Sequence, residues 1–221
     1  MHRLFVVSAA LGLSAGAAHA DVLAGWTFET SIPATAGPHA AELGVFSGAA
    51  SPASGFHADP GVVYSNPAGN GSPESFSSNF WTIGDSYRFS SSTLGYNTIT
   101  FAFDQTRSST GPATFDVEWS LDGVNFSTLL NDYTVLNNAA PPGAWNATTA
   151  FPEYHFGPLA LPAGAADQAL IVFRLGNQVA PGGTGGTNRV DNVMVEGTLI
   201  PTPGVAAVLA IAGLAGLRRR R

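Results

Sequence analysis

The chain has 221 residues, neither cysteine nor lysine, and a net charge of −6. All fifteen acids lie between Asp21 and Leu199 with four arginines (Arg88, Arg107, Arg174, Arg189), which puts that segment near −11. So acidic a segment lacks the basic patch that phosphate neutralisation needs, which excludes nucleic acid as a partner. Without cysteine there are no disulfides, no thiol catalysis and no thiolate metal site.

The N-terminus reads as a secretory leader over residues 1–20. Met1-His2-Arg3 is a short positive start, Leu4 to Ala17 is apolar, and Ala18-His19-Ala20 is an Ala-x-Ala cleavage site. The mature chain is expected to begin at Asp21 and to enter the secretion translocon. Residues 21–199 then suit one domain with a sizeable core.

Strand signals follow in order. Val22 to Phe28 opens, with Trp26 and Phe28 on a shared face. Ser31 to Gly55 and Asn66 to Ser78 are rich in Gly, Pro, Ser and Ala and read as loops. Val62 to Tyr64, Asp85 to Phe89 and Glu153 to Phe156 are shorter candidates. Asn97 to Asp104 alternates, with Ile99, Phe101 and Phe103 on one side. Thr114 to Leu121 alternates most cleanly, with Phe115, Val117, Trp119 and Leu121 facing the core. Asp122-Gly123 is a turn pair that returns the chain through Val124 to Leu130. Ala169 to Leu175 is nearly continuous in apolar residues and predicts a central strand. Pro181 to Thr187 is a Gly-rich loop, and Arg189 to Leu199 closes the domain. About nine strands without a helix predict an all-β fold, an antiparallel two-sheet β-sandwich of jelly-roll type.

No complete catalytic constellation is present. His39, His57 and His155 lack metal-ligand spacing, and His39 and His57 read as solvated loop residues. Asp116 and Glu118 share one face of a strand, about 7 Å apart. Two acids so placed suit glycoside hydrolysis, but they equally make the wet side of an amphipathic strand. Trp81, Tyr133 and Trp145 are candidate platforms for polysaccharide, because a flat ring packs on the apolar face of a sugar. Asp191 has the parity of Val193 and Val195 and is expected to face inward, where a carboxylate needs a partner. Arg107 or Arg174 would provide an ion pair. A bound structural calcium is the alternative.

The chain ends in Pro201-Thr202-Pro203, an apolar run from Val205 to Leu217, and Arg218-Arg219-Arg220-Arg221. Thirteen apolar residues cover roughly 20 Å, short of a hydrocarbon core of about 30 Å, so the run suits temporary rather than permanent anchoring. The terminal arginines would stay cytoplasmic. This tail, residues 200–221, resembles a PEP-CTERM sorting signal, with Thr202 where the name-giving form has Glu. The resemblance implies a bacterial protein, processing by an exosortase, transient inner-membrane insertion, and a surface or matrix destination. Ser120 to Phe126 (Ser-x-Asp-Gly-x-x-Phe) resembles a hairpin of bacterial extracellular β-sandwich modules. In sugar-binding members of that kind, a calcium often joins the first and last strands, which here implies Glu29 and Asp191. The functional expectation is a non-catalytic exported surface or matrix protein that binds polysaccharide. A jelly-roll glycan hydrolase and a self-associating surface protein are the alternatives.

Overall fold

The computed structural model describes residues 19–139 and 141–201. The expected leader, apart from His19 and Ala20, lies outside them, as does the tail beyond Pro201, with Pro203 and Arg218 to Arg221. Among the described residues no helix is long and apolar enough to cross a membrane.

Among the described residues twelve strands form two antiparallel sheets. The first sheet holds β1 (Ala20–Trp26), β4 (Tyr64–Ser65), β5 (Phe76–Ser78), β7 (Tyr96–Arg107), β10 (His155–Ala160) and β12 (Asn188–Leu199). Its order is β10-β7-β12-β5-β4, with β1 also paired to β12. The second sheet holds β2 (His39–Ala41), β3 (Gly48–Phe56), β6 (Ser86–Ser91), β8 (Thr114–Ser120), β9 (Ser127–Thr134) and β11 (Ile171–Asn177), in the order β2-β3-β6-β11-β8-β9. The opening and closing strands are therefore neighbours, with Trp26 opposite Val193.

Period-two alternation builds the core. Phe101 and Phe103 of β7 face Phe115 and Val117 of β8 and Ile171, Phe173 and Leu175 of β11, all fully buried. The Phe101 and Phe173 rings stack across the sandwich at 4.1 Å. Aromatic contacts of this kind add about 0.5–1.5 kcal/mol to the area they bury.

Three expected features are corrected. The stretch read as a loop from Ser31 to Gly55 contains β2 and β3, and β5 lies in the second such stretch. β3 does alternate, but its buried positions are Ser51, Ala53 and Gly55, too small to register as apolar. They are small because large rings lie over them. The Trp26 indole donates to the Ser51 carbonyl at 3.1 Å, and a Cβ on Gly55 would sit 2.5 Å from the Tyr64 ring. Trp119 is only half-buried against the core, and Leu121 is exposed, because β8 ends at Ser120 and the chain turns away there. Around Glu153 the chain makes a single 3-10 turn, Pro152–Tyr154, before β10 begins.

Candidate functional site

The second sheet turns one face inward and leaves the other open. Strand alternation sends Tyr87 and Phe89 of β6 inward and Arg88 outward; on β11 it buries Phe173 and Leu175 and turns out Arg174. Antiparallel register then aligns the outward residues across five strands. Ser54 is opposite Arg88, Arg88 opposite Arg174, Arg174 opposite Glu118, and Glu118 opposite Thr128. Arg174 grips Glu118 with two hydrogen bonds, Nε to Oε2 at 2.5 Å and Nη2 to Oε1 at 2.8 Å.

Two phenylalanines flank this row. Phe56, at the end of β3, lies 4.2 Å from the Arg88 guanidinium. Phe126 lies 4.0 Å from the Arg174 guanidinium and 5.5 Å from that of Arg88. Phe126 owes its place to the β8–β9 turn. Asp122 accepts from the Val124 and Asn125 amides, both at 2.8 Å, and from the Asn125 side chain at 2.7 Å. Gly123 takes the positive φ of 72° that the turn requires. The Asn125 side chain first, then the Asn125 and Val124 amides, hold the Asp122 carboxyl well below the usual carboxylate range.

Beyond Phe56 the surface sinks into an open depression of about 560 Å³, which Phe56 shares with Pro60, Val62, Tyr64 and Ile83. Phe56 is 46% exposed and Ile83 66%. Apolar rings and edges beside planar hydrogen-bond donors can hold a flat, hydroxylated ligand such as a sugar.

The histidine in that depression belongs to a sealed network. His57 Nδ1 lies 3.1 Å from Asp85 Oδ2, and Nε2 lies 3.0 Å from Ser78 Oγ. Ser78 in turn bonds the Tyr87 hydroxyl at 2.7 Å, which donates to the Asn188 carbonyl at 2.8 Å. The order Asp-His-Ser suggests a nucleophile, but Ser78 and the His57 side chain have no exposure, so no substrate carbonyl reaches them. Burial pushes the His57 pKa down, against the pull of Asp85. Neither His57 nor His39 is a solvated loop residue as expected. His39 is buried in β2 against Phe76.

A second polar cluster lies inside, between β12 and the loops before β5 and β10. Asp191 faces inward as expected and is fully buried. The expected arginine bridge is overturned. Arg174 is committed to Glu118, and Arg107 donates to the carbonyls of Val135, Ser108 and Ser109. Asp191 is satisfied without a cation: Oδ2 accepts from the Asn70 amide at 2.9 Å and the Ser72 hydroxyl at 2.6 Å, and Oδ1 from the Asn192 amide at 2.8 Å. Burial nonetheless pushes its pKa up to about 7; the Ser72, Asn70 and Asn192 donors oppose this and Asp104 adds to it. Asp104, opposite Asp191 in register, accepts from Asn70 and Asn192 side chains, each at 2.9 Å, and lies 2.8 Å from His155 Nδ1.

Calcium does not fit this arrangement. The Asp191 oxygens meet N–H and O–H donors where a hard cation would need oxygens, and Glu29 Oε1 accepts from the Glu74 amide at 3.1 Å. Among the described residues no group of three His, Asp or Glu side chains converges to hold a metal.

The aromatics singled out from sequence do not form a platform. Trp81, Tyr133 and Trp145 are 2%, 7% and 5% exposed. Trp81 packs on His57, Tyr87 and Phe115, Tyr133 on Phe103 and Phe156, and Trp145 on Tyr154. The rings beside the outward arginines are instead Phe56 and Phe126. Phe126 was legible as the last residue of the Ser-x-Asp-Gly-x-x-Phe hairpin, and Arg174 as a charge inside an apolar strand. Phe56 carried no signal, because it closes a strand that reads as loop. Of the acid pair, Asp116 accepts from the Asp132 amide at 2.7 Å, and both Glu118 oxygens are taken by Arg174.

No protein-family model matches the chain, and no curated protein does. Several solved structures are similar to it, among them these three. A cleaved adhesin domain of Lys-gingipain from Porphyromonas gingivalis is 19% identical with a TM-score of 0.43, over 79% of this chain and 98% of that one. The CBM22-1 xylan-binding domain from Paenibacillus barcinonensis Xyn10C is 10% identical with a TM-score of 0.43, over 85% and 100%. TmCBM61, in complex with β-1,4-galactotriose, is 12% identical with a TM-score of 0.35, over 66% and 86%. Similarity at this level transfers neither ligand nor activity to this chain.

Proposed function

We propose that residues 21–199 form a non-catalytic, exported surface or matrix module of jelly-roll type that binds polysaccharide on the open face of its second sheet. The leader at 1–20 and the tail at 200–221 would carry it through the translocon, a transient inner-membrane stage and exosortase processing. The observation that supports binding is the position of Phe56. It is a large, half-exposed ring at the junction of the Arg88-Arg174-Glu118 row and the open depression. A pyranose stacked on Phe56 would place its hydroxyls against the guanidinium edges and Ser54, while Ile83 offers an apolar edge to a neighbouring unit.

Retention in affinity gels containing soluble polysaccharides tests the reading. Phe56→Ala should weaken binding to the retained polysaccharide by about tenfold or more, the scale of losing one anchoring ring. A protein that no polysaccharide retards would overturn the proposal. Release of reducing sugar, abolished by Asp116→Asn or Glu118→Gln, would replace it with a hydrolase. Mass spectrometry of surface material should find a chain that begins at Asp21 and lacks Arg218 to Arg221.

A further inference from the structure

We propose that the polysaccharide is anionic, and that Arg88 is the residue that meets its carboxylate or sulfate groups. This rests on the binding face proposed above and narrows its ligand.

The described segment holds four arginines, and they differ in what they are given to bind. Arg174 spends two donors on Glu118. Arg107 donates from Nε and Nη1 to three backbone carbonyls. Arg189, on β12 of the first sheet and so away from the open face of the second, has no ion pair among the described residues, and its Nε is buried with no hydrogen-bond partner. Arg88 is half-buried on the open face, and its one hydrogen bond is a long one, Nε to Ser86 Oγ at 3.4 Å. Among the described residues the ion pairs are His57–Asp85, His155–Asp104 and Arg174–Glu118, so no carboxylate is in contact with Arg88.

A guanidinium so placed is costly. It has lost part of its water to Phe56 and Phe126, and it stands directly across the ladder from a second guanidinium. Burial, and then Arg174, push its pKa down, while Glu118 opposes them. An anion at the face would relieve both costs at once. The Phe56 ring packs 4.2 Å from the guanidinium, whose planar fork of N–H groups matches the two oxygens of a carboxylate or sulfate. A neutral sugar would use the same donors but leave the charge uncompensated. The segment's overall charge near −11 does not prevent this, since at physiological salt distant charges are screened beyond about 8 Å while a contact pair is not.

The test uses backbone-matched probes with the full chain: polygalacturonate against its methyl ester, and dextran sulfate against dextran. The expected result is at least tenfold tighter binding to one charged member than to its neutral partner, and loss of that preference as salt is raised or on Arg88→Gln. Preference for polygalacturonate alone assigns carboxylate, and for dextran sulfate alone, sulfate. Arg88→Lys should keep part of the preference and controls for a folding defect, which circular dichroism reads directly. Equal binding to charged and neutral members, lost together in Phe56→Ala, would overturn the anionic ligand and leave the binding face intact. No binding to any probe or to neutral polysaccharides overturns both.

Discussion

Two of the charged clusters among the described residues are built in opposite ways. Around Asp191 and Asp104, every carboxylate oxygen meets a donor of the fold: Asn70 or Ser72 from the loop before β5, Asn192 on β12, or His155 at the start of β10. That polarity is consumed internally, and it ties the loop at Asn70 to β7 and β12. On the open face of the second sheet, Glu118 is consumed by Arg174, but Arg88 is left half-exposed between two rings. A buried carboxylate must be satisfied by the fold itself, because no water or ligand can do it later. An outward arginine is free of that constraint, because solvent or a ligand can complete its hydrogen bonds.

Replacing the interior carboxylate should have the largest effect. Asp191→Ala leaves the Asn70 and Asn192 amides and the Ser72 hydroxyl without their acceptor, at a cost of about 3–4 kcal/mol in denaturant unfolding. A loss under about 1 kcal/mol would mean that the cluster is not holding the loop, and the contrast would fail.

Glu42 sharpens the contrast at intermediate burial. It gathers the chain after β1, accepting from the amides of Glu29, Thr30 and Ser31 and from the hydroxyls of Thr27 and Thr30. Burial alone would raise its pKa, but the donors from Thr27, Ser31 and Thr30 together hold it below 4.5. A folded-state pKa below the unfolded value adds stability that is present above about pH 4.5 and is lost as pH falls through the lowered value. Glu42→Gln should therefore cost about 1 kcal/mol at neutral pH and flatten the acid limb of the stability profile. An unchanged acid limb would show that these bonds do not favour the ionised form.

On the outer row the expected stability effect is smaller. Arg88→Gln should change unfolding by less than about 0.5 kcal/mol, because the side chain is paired with no acid and ordinary surface changes fall in that range. A loss above about 1.5 kcal/mol would make Arg88 part of the scaffold.

The smallest effect is expected from chelation. With Asp191 and Glu29 already bonded to N–H and O–H groups, neither EDTA nor added calcium should move the melting temperature. A drop of several degrees with EDTA, restored by calcium, would place a metal between the two residues in place of these hydrogen bonds.

Much of this architecture can be read from the residues in order. Thr114 to Ser120 and Asn97 to Asp104 alternate apolar and polar side chains, and that period-two pattern depends only on neighbours along the chain. Asp122-Gly123 specifies its turn through contacts within three residues. The acidic excess, the missing cysteine and the order of residues at both ends are likewise properties of the chain by itself. What the tertiary structure decided is which positions meet. β3 is a strand because Trp26 and Tyr64 need small residues beneath them, a demand made from outside the segment. Trp81, Tyr133 and Trp145 became core and Phe56 became surface, since burial depends on what packs over a ring and not on the ring. Arg174 chose Glu118 over Asp191 because antiparallel register set the two opposite each other on one face. The same register left Arg88 without an acid, and no local feature of Ser-Tyr-Arg-Phe-Ser foretells it.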